Sequence, residues 1–133
     1  MTTVVDASVV AASLVDSGST GDWADSVLLN RPLAAPQLLP VETASILRRM
    51  VASGGLSGDR ATLAHDKLLS LRAEMYPYVQ LGRRVWELRE NITPYDAWYV
   101  ALAERLDAPL ATLDIKLSRA PGPRCRFITP FSD

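Results

Sequence analysis

The sequence predicts an α/β fold with a mainly parallel sheet of about five strands. Three observations carry this. Short apolar or β-branched runs alternate with helical patterns from end to end, the signature of parallel strands joined by helical crossovers. The stretch TPYDAWYVALAERLDAPLATLD (93–114) packs a helix start, an amphipathic helix, a breaker, a short strand and a terminal carboxylate into one segment. Four acids, moreover, fall at the carboxyl ends of expected strands or in first turns of expected helices. No internal repeat, low-complexity tract or linker interrupts the chain, so residues 1–133 read as one domain.

Thr2 to Val5 is a β-branched run ending at Asp6 and reads as a first, central strand. Ala7 to Val15 reads as a helix, with Asp6 or Ser8 available to cap it. Ser17 to Asp22 is a polar loop, and Trp23 to Leu29 a second helix. Leu33 to Ala35 is a minimal strand between Pro32 and Pro36. A longer helix from about Pro40 sets Leu39, Thr43, Ile46, Leu47 and Met50 at helical spacing, with Arg48 and Arg49 facing elsewhere. Gly54 and Gly55 stop it and lack the spacing of a phosphate-cradling loop. Ser57 or Asp59 caps the next helix, whose apolar stripe is Ala61, Ala64, Leu68, Leu71 and Met75. Tyr76 to Val79 is a strand that Pro77 assigns to an edge, and Leu81, Val85 and Leu88 mark another helix.

Thr93 then suits an N-cap and Pro94 the first helical position, where its missing N–H is no loss. This helix runs to about Leu106, before Asp107, Ala108 and Pro109 end it. Leu110 to Leu113 is a buried strand delivering Asp114 to its carboxyl end. Arg126 to Ile128 is the last strand and Pro130 to Asp133 a short tail.

Hydrophobic residues make up 48% of the chain and charged ones 22%, which excludes a disordered protein. The longest apolar runs are too short to span a membrane, and MTTVVDAS has no basic region ahead of its apolar residues, as a signal peptide requires. The one cysteine, Cys125, excludes an internal disulfide; it reads as a small buried residue and fits a cytoplasmic setting. A net charge of −1 does not announce nucleic-acid binding. Bulk charge misleads, however, if several carboxylates are sequestered around cations.

Those carboxylates are Asp6, Glu42, Asp96 and Asp114. Asp6 and Asp114 follow strands; Glu42 and Asp96 each lie two residues after a proline that opens a helix. In an open parallel sheet, strand carboxyl ends and helix amino ends share the edge where ligands bind. Each acid also has a plain reading as a cap, worth roughly 0.3–1 kcal/mol from the helix dipole. Thr93-x-x-Asp96 resembles a capping box. The case for chemistry rests on the set, since no other part of the chain offers a rival site. Converging acids repel one another and call for cations. All-oxygen ligands favour Mg²⁺ or Mn²⁺, ions that suit phosphodiester hydrolysis.

On VVDAS, LLPVETASILRR and TPYDAWYVALAERLDAPLATLD the chain resembles a PIN-domain ribonuclease, closest to the VapC type of toxin in bacterial and archaeal toxin–antitoxin pairs. The similarity covers nearly the whole chain. It implies a three-layer α/β/α sandwich, with Asp6, Glu42 and Asp96 on the family's three core acidic positions and Asp114 on the fourth, more variable one. It further implies Mg²⁺, with Mn²⁺ able to substitute, held most directly by Asp6 and Asp96 and completed by Glu42 and Asp114. Ser8 matches a small hydroxyl residue that often follows the first acid. Family resemblance also implies a homodimer, a cognate VapB-type antitoxin whose C-terminal segment enters the active-site groove, and structured RNA substrates such as transfer RNA or ribosomal RNA loops. Cleavage of that type leaves a 5′-phosphate and a 3′-hydroxyl. Trp98 is bulkier than the family pattern expects at its position.

RNA phosphates need cationic contacts beside an acidic site. Lys116, two residues beyond Asp114, is the strongest candidate, with Arg48 and the hydroxyl of Ser8 as further substrate contacts. Arg49, Arg83, Arg84, Arg119, Arg124 and Arg126 read mainly as solvated bases. Trp23, Trp86, Trp98, Tyr76, Tyr78, Tyr95 and Tyr99 are able to stack on bases, though core packing or a subunit interface accounts for most of them. His65, the one histidine, falls mid-helix and reads as exposed.

A phosphoaspartyl enzyme of the haloacid-dehalogenase type would want a second aspartate where Ser8 stands. A receiver domain would want an acidic pair by its first strand. The stronger rival is a catalytically silent PIN-like module that binds an antitoxin or RNA, against which the full set of acids argues.

Overall fold

A computed structural model describes residues 1–130. The predicted tail at Pro130–Asp133 therefore lies, beyond Pro130, outside the described residues. In chain order the elements are β1 (Thr3–Val5), α1 (Ala7–Val15), α2 (Ser19–Leu29), β2 (Leu33–Pro36), α3 (Leu39–Ala52), α4 (Gly58–Leu69), β3 (Glu74–Tyr76), a 3-10 turn (Val79–Leu81), α5 (Gly82–Glu87), α6 (Pro94–Leu106), β4 (Leu110–Ala111), α7 (Ile115–Ser118) and β5 (Phe127–Ile128).

The five strands form one sheet in the order β3-β2-β1-β4-β5, and every pair is parallel. Register pairs Thr3 with Leu33 and Val4 with Leu110, so β1 is the central strand, as its β-branched run predicts. The chain steps outward from β1 to β3, then returns to lay β4 on the other side of β1. A reversal of this kind opens a crevice at the carboxyl ends of the two strands that flank it. Here those strands are β1 and β4, which carry Asp6 and Asp114.

Because parallel crossovers are right-handed, the reversal also moves the helices to the opposite face. Helices α1 to α4 pack against one another on one side, whereas α5 and α6 pack together, with α6 on β1, β2 and β4. This is the expected three-layer sandwich. Helix α6 buries Ala97, Tyr99, Val100, Ala101, Leu102 and Ala103, so nearly its whole circumference is core, and its alanines let it lie close to the sheet. Val4, Val5, Leu110 and Leu102 are fully buried at the centre, and Leu47, Leu56 and Ala64 make a satellite cluster where α3 meets α4. No helix among the described residues is long and apolar enough to cross a membrane.

Local signals set the boundaries. Thr93 caps α6 by accepting from the Asp96 N–H at 3.3 Å, Pro94 takes the first position, and Asp107 ends the helix at φ 50°. Gly54, at φ +84°, closes α3 in a conformation that L side chains rarely adopt.

Several expectations need correction. Helix α2 begins at Ser19, within the expected loop. Leu71 and Met75 keep the spacing of the α4 stripe, yet α4 ends at Leu69 and Met75 lies in β3. The edge strand is Glu74–Tyr76; Pro77, which lacks an N–H for the ladder, sends Tyr78 and Val79 toward the 3-10 turn. The ladder of β4 stops at Ala111, because the Thr112 side chain and Asp114 turn the chain into the unexpected α7. Cys125 is half-buried, not buried. His65 is exposed as expected.

Candidate active site

Asp6, Glu42, Asp96 and Asp114 line one pocket of about 290 Å³ together with Ser8, Ser45 and Arg49. Asp6 and Asp114 are delivered by the ends of strands, Glu42 and Asp96 by the first turns of helices. Asp6 ends the central strand and is 9% exposed. Its Oδ2 accepts a 2.6 Å hydrogen bond from the fully buried Thr112 hydroxyl, while Oδ1 makes only a 3.4 Å cap with the Ser8 N–H. Its tie across the sheet is thus shorter than its tie to its own helix.

Thr112 has a second task. Its oxygen accepts the Asp114 N–H at 3.0 Å, so one hydroxyl joins the acids that end β1 and β4. Asp114 is exposed and caps α7, accepting from the Leu117 N–H at 3.0 Å. For this acid, capping and a place in the pocket coexist. Glu42, in the first turn of α3, has no cap bond, and its carboxyl turns toward Tyr99. Asp96 sits in the first turn of α6 with its N–H on Thr93.

The electrostatics separate Asp6, Glu42 and Asp96 from ordinary surface carboxylates. Burial raises the Asp6 pKa and the Asp114 charge adds to it, against hydrogen bonds from Thr112 and the Ser8 and Ala7 backbone. Burial likewise raises Glu42, with the Asp6 charge in the same direction; Tyr99 and Arg49 oppose it. Asp96 is pushed up to about 6 by burial and by the charges of Asp6, Asp114 and Glu42. The set behaves as mutually repelling carboxylates short of positive charge.

That shortage, with a pocket walled by oxygen donors and free of histidine and cysteine, fits a hard divalent cation. The acids are spread around the pocket: among the described residues no group of three or more His, Cys, Asp or Glu stands ready-made to hold an ion.

The predicted substrate contacts divide. Ser8 lines the pocket, but its Oγ is engaged, accepting the Leu113 N–H at 3.2 Å. Lys116 lies in a larger groove of about 990 Å³ that begins at Asp96 and Asp114 and continues past Arg89, Ile92 and Arg119. Arg48 lies apart from the carboxylates, lining a separate depression between α3 and α4, beside His65 and Asp66. Arg49 enters the carboxylate pocket instead. Two helical turns separate Arg49 from Glu42 and bring both to one face, whereas Arg48 is rotated by about 100°.

Sequence reading also missed Thr112 and Tyr99. Thr112 reads as one more β-branched strand residue, though its place two before Asp114 is the signal of a side chain turning back to cap. Tyr99 is 1% exposed, and its hydroxyl is buried near Glu42 without a hydrogen bond of acceptable geometry. Among the other aromatics, Trp98 is half-buried in an edge-to-face contact with Tyr78, centroids 5.3 Å apart, while Trp86 and Tyr95 are exposed. The bulk of Trp98 is therefore absorbed by packing outside the pocket.

Comparison with known proteins agrees with this architecture. The PIN domain profile matches residues 3–123. Ribonuclease VapC1 of Mycobacterium tuberculosis is 42% identical over 125 residues, spanning 93% of this chain and 94% of its own. Ribonuclease VapC9 of the same organism is 39% identical, spanning 92% and 93%. Among solved structures, PAE2754 from Pyrobaculum aerophilum superposes with a TM-score of 0.69 at 23% identity, over 96% of this chain and 83% of that one. VapBC2 from Rickettsia felis, solved on a DNA fragment from its promoter, gives 0.67 at 16% identity over 97% and 98%. Full-length identity near 40% to curated ribonucleases, on a parallel sheet whose crevice gathers four acids, leaves one conclusion: the chain belongs to the PIN domain family, among its VapC-type ribonucleases.

Proposed function

We propose that this protein, as a single PIN domain over residues 1–133, is the Mg²⁺-dependent endoribonuclease toxin of a VapBC-type toxin–antitoxin pair. It hydrolyses phosphodiester bonds in structured RNA in the cytoplasm, with transfer RNA or ribosomal RNA as the substrate class. The observation that carries this reading is the meeting of Asp6, Glu42, Asp96 and Asp114 in one pocket with raised pKa values at three of them.

In this reading Asp6 and Asp96 hold the ion most directly, and Glu42 and Asp114 complete its surroundings; Mn²⁺ is able to replace Mg²⁺. A divalent ion bound there lowers the pKa of water and offsets charge on the phosphate. The chain's own residues do the rest. Thr112 holds Asp6 and Asp114 in fixed relation through its bonds of 2.6 and 3.0 Å. Glu42 and Asp114 orient the attacking water, and Arg49 limits repulsion at Glu42. Lys116, with Arg89 and Arg119, carries the phosphates of the strand along the groove that leads from the pocket. Ser8 ties the first turn of α1 to the segment after β4 by accepting the Leu113 N–H, and meets the substrate from the pocket wall. A VapB-type antitoxin completes the assembly, supported by VapBC complexes such as that from Rickettsia felis among the structures of like fold, and the family resemblance adds a homodimer.

The test is cleavage of defined structured RNAs with Mg²⁺ or Mn²⁺ by the wild type, Asp6→Ala and Asp96→Ala proteins. Products are expected from the wild type alone. Identical activity in all three would sink the assignment, and no cleavage by any would favour a silent binding module.

A further inference from the structure

We infer that the ion pair between Arg84 and Glu104, remote from the carboxylate pocket, is a positioning device for the RNA groove and sets affinity for the substrate strand. The inference rests on the reading of that groove as the substrate path. Arg84 lies on α5 and Glu104 near the end of α6, with side chains only 22% and 16% exposed. The guanidinium grips the carboxylate as a fork, Nε to Oε1 at 2.7 Å and Nη2 to Oε2 at 3.1 Å. Each partner also takes hold of the loop after α7. Arg84 Nη2 donates to the Gly122 carbonyl at 2.9 Å, and Glu104 Oε2 accepts the Arg124 N–H at 2.8 Å. Among the described residues, these two bonds are what tie 121–124 to the body of the protein by hydrogen bonding.

This matters because of what the loop and α5 carry. One wall of the groove is Lys116, Arg119 and Pro121, which run into the gripped loop; the other is Arg89 to Pro94, the continuation of α5. Glu104 belongs to the helix whose first turn holds Asp96, at the groove's inner end. One ion pair therefore fixes both walls, the cationic one of Lys116 and Arg119 and the one of Arg89 to Pro94, relative to the acid pocket. Gly122 shows how closely the walls meet. Its φ is +107°, and a Cβ there would approach Leu88 Cδ2 to 3.2 Å and Asn91 Nδ2 to 3.3 Å. A methyl group there would be strained by that φ and would need the Leu88 and Asn91 side chains to give way.

Two substitutions approach the device from different sides. Glu104→Gln breaks the pair; Gly122→Ala leaves the pair in place and pushes the loop off α5. Affinity for a fluorescent RNA hairpin is read by anisotropy in an Asp96→Asn background, where the RNA stays intact, and kcat at saturating RNA is read with Asp96 restored. Both changes should raise Kd about tenfold, flatten the log Kd against log salt slope by roughly one, and leave kcat within about twofold. Circular dichroism checks folding; should Glu104→Gln not fold, Gly122→Ala decides. Unchanged Kd in the folded variants, or a fall in kcat at unchanged Kd, would overturn the inference. Lys116→Ala and Arg119→Ala separate it from its premise. If these weaken binding and the clamp variants do not, the clamp reading fails alone; if none does, the groove reading fails and takes the clamp with it.

Discussion

Asp96 and Glu104 sit on the same helix, one in its first turn and one in its last part, and both are partly buried. Their surroundings treat them in opposite ways. Asp96 faces three other acids and is pushed up to about 6. Burial would raise Glu104 too, but hydrogen bonds from Arg84 and the Arg124 N–H, with the charges of both arginines, win and lower its pKa. Glu104 is stabilised as an ion by the protein itself, whereas Asp96 is ionised at neutral pH against the protein's own field. That second condition supports the proposed role of Asp96 as a ligand for a cation, whereas Glu104 has the surroundings of a structural ion pair.

The largest effects that test the contrast are on activity. Asp6→Ala or Asp96→Ala should lower ribonuclease activity by at least about 100-fold, measured as initial rates on one RNA with Mg²⁺. Thr112→Val, which keeps the shape and removes the hydroxyl between Asp6 and Asp114, should cost roughly 10- to 100-fold. Wild-type rates from the valine variant would show that the link is structural only.

Stability should move in opposite directions at the two acids. Glu104→Gln leaves Arg84 only the more exposed Glu87 as an ionic partner and should cost about 2 kcal/mol, between the values for exposed and fully buried pairs. Asp96→Asn removes repulsion and should stabilise the metal-free protein by about 1 kcal/mol after allowance for solvent screening. Urea denaturation in chelator measures both, and equal signs would erase the distinction.

The pH dependence of stability follows the same division. The folded pKa of Asp96 lies above its unfolded value, so ionisation destabilises the metal-free fold, and stability returns as pH falls through about 6. Glu104 has the depressed folded pKa: its contribution is full above the unfolded value near 4.5 and is lost as pH falls through the folded one. Melting temperature in chelator should therefore rise on acidification from neutral pH and fall again in stronger acid. Asp96→Asn should reduce the rise, leaving the part due to Asp6 and Glu42, and Glu104→Gln reduce the fall. Smallest is the effect of single bases. Arg49→Ala should slow cleavage a few-fold through Glu42, while Arg48→Ala, on the α3–α4 side, should leave the rate unchanged.

Much of this was legible without coordinates. Parallel strands need helical crossovers, so alternation alone predicted the sheet, and the capped start of α6 was readable because Thr93 and Pro94 act locally. The acids could be placed on one edge because strand ends and helix starts share it in any parallel sheet. What escaped has equally physical causes. Arg48 and Arg49 are adjacent in sequence but about 100° apart on the helix, so choosing between them required knowing which face of α3 met the pocket. Helix α7 is four residues long, too short for any periodicity to register. Leu71 and Met75 kept a helical spacing after the helix had ended, since a period alone carries no stop signal. The Arg84–Glu104 fork joins residues far apart in sequence, and nothing local points from one to the other.

The Thr112 hydroxyl also bears on how much order the site must acquire when its ligand arrives. A β-branched side chain has few χ1 states, and this one is fully buried with its proton committed to Asp6 and its oxygen to the Asp114 N–H. The Asp6 carboxylate is thus held firmly at Oδ2, with only the longer 3.4 Å Ser8 N–H contact at Oδ1. Rotational freedom that a free aspartate would surrender on binding has already been given up during folding. Thr112→Ser keeps the hydroxyl but frees its rotation, so it should weaken Mg²⁺ binding through entropy, with the hydrogen bonds themselves unchanged.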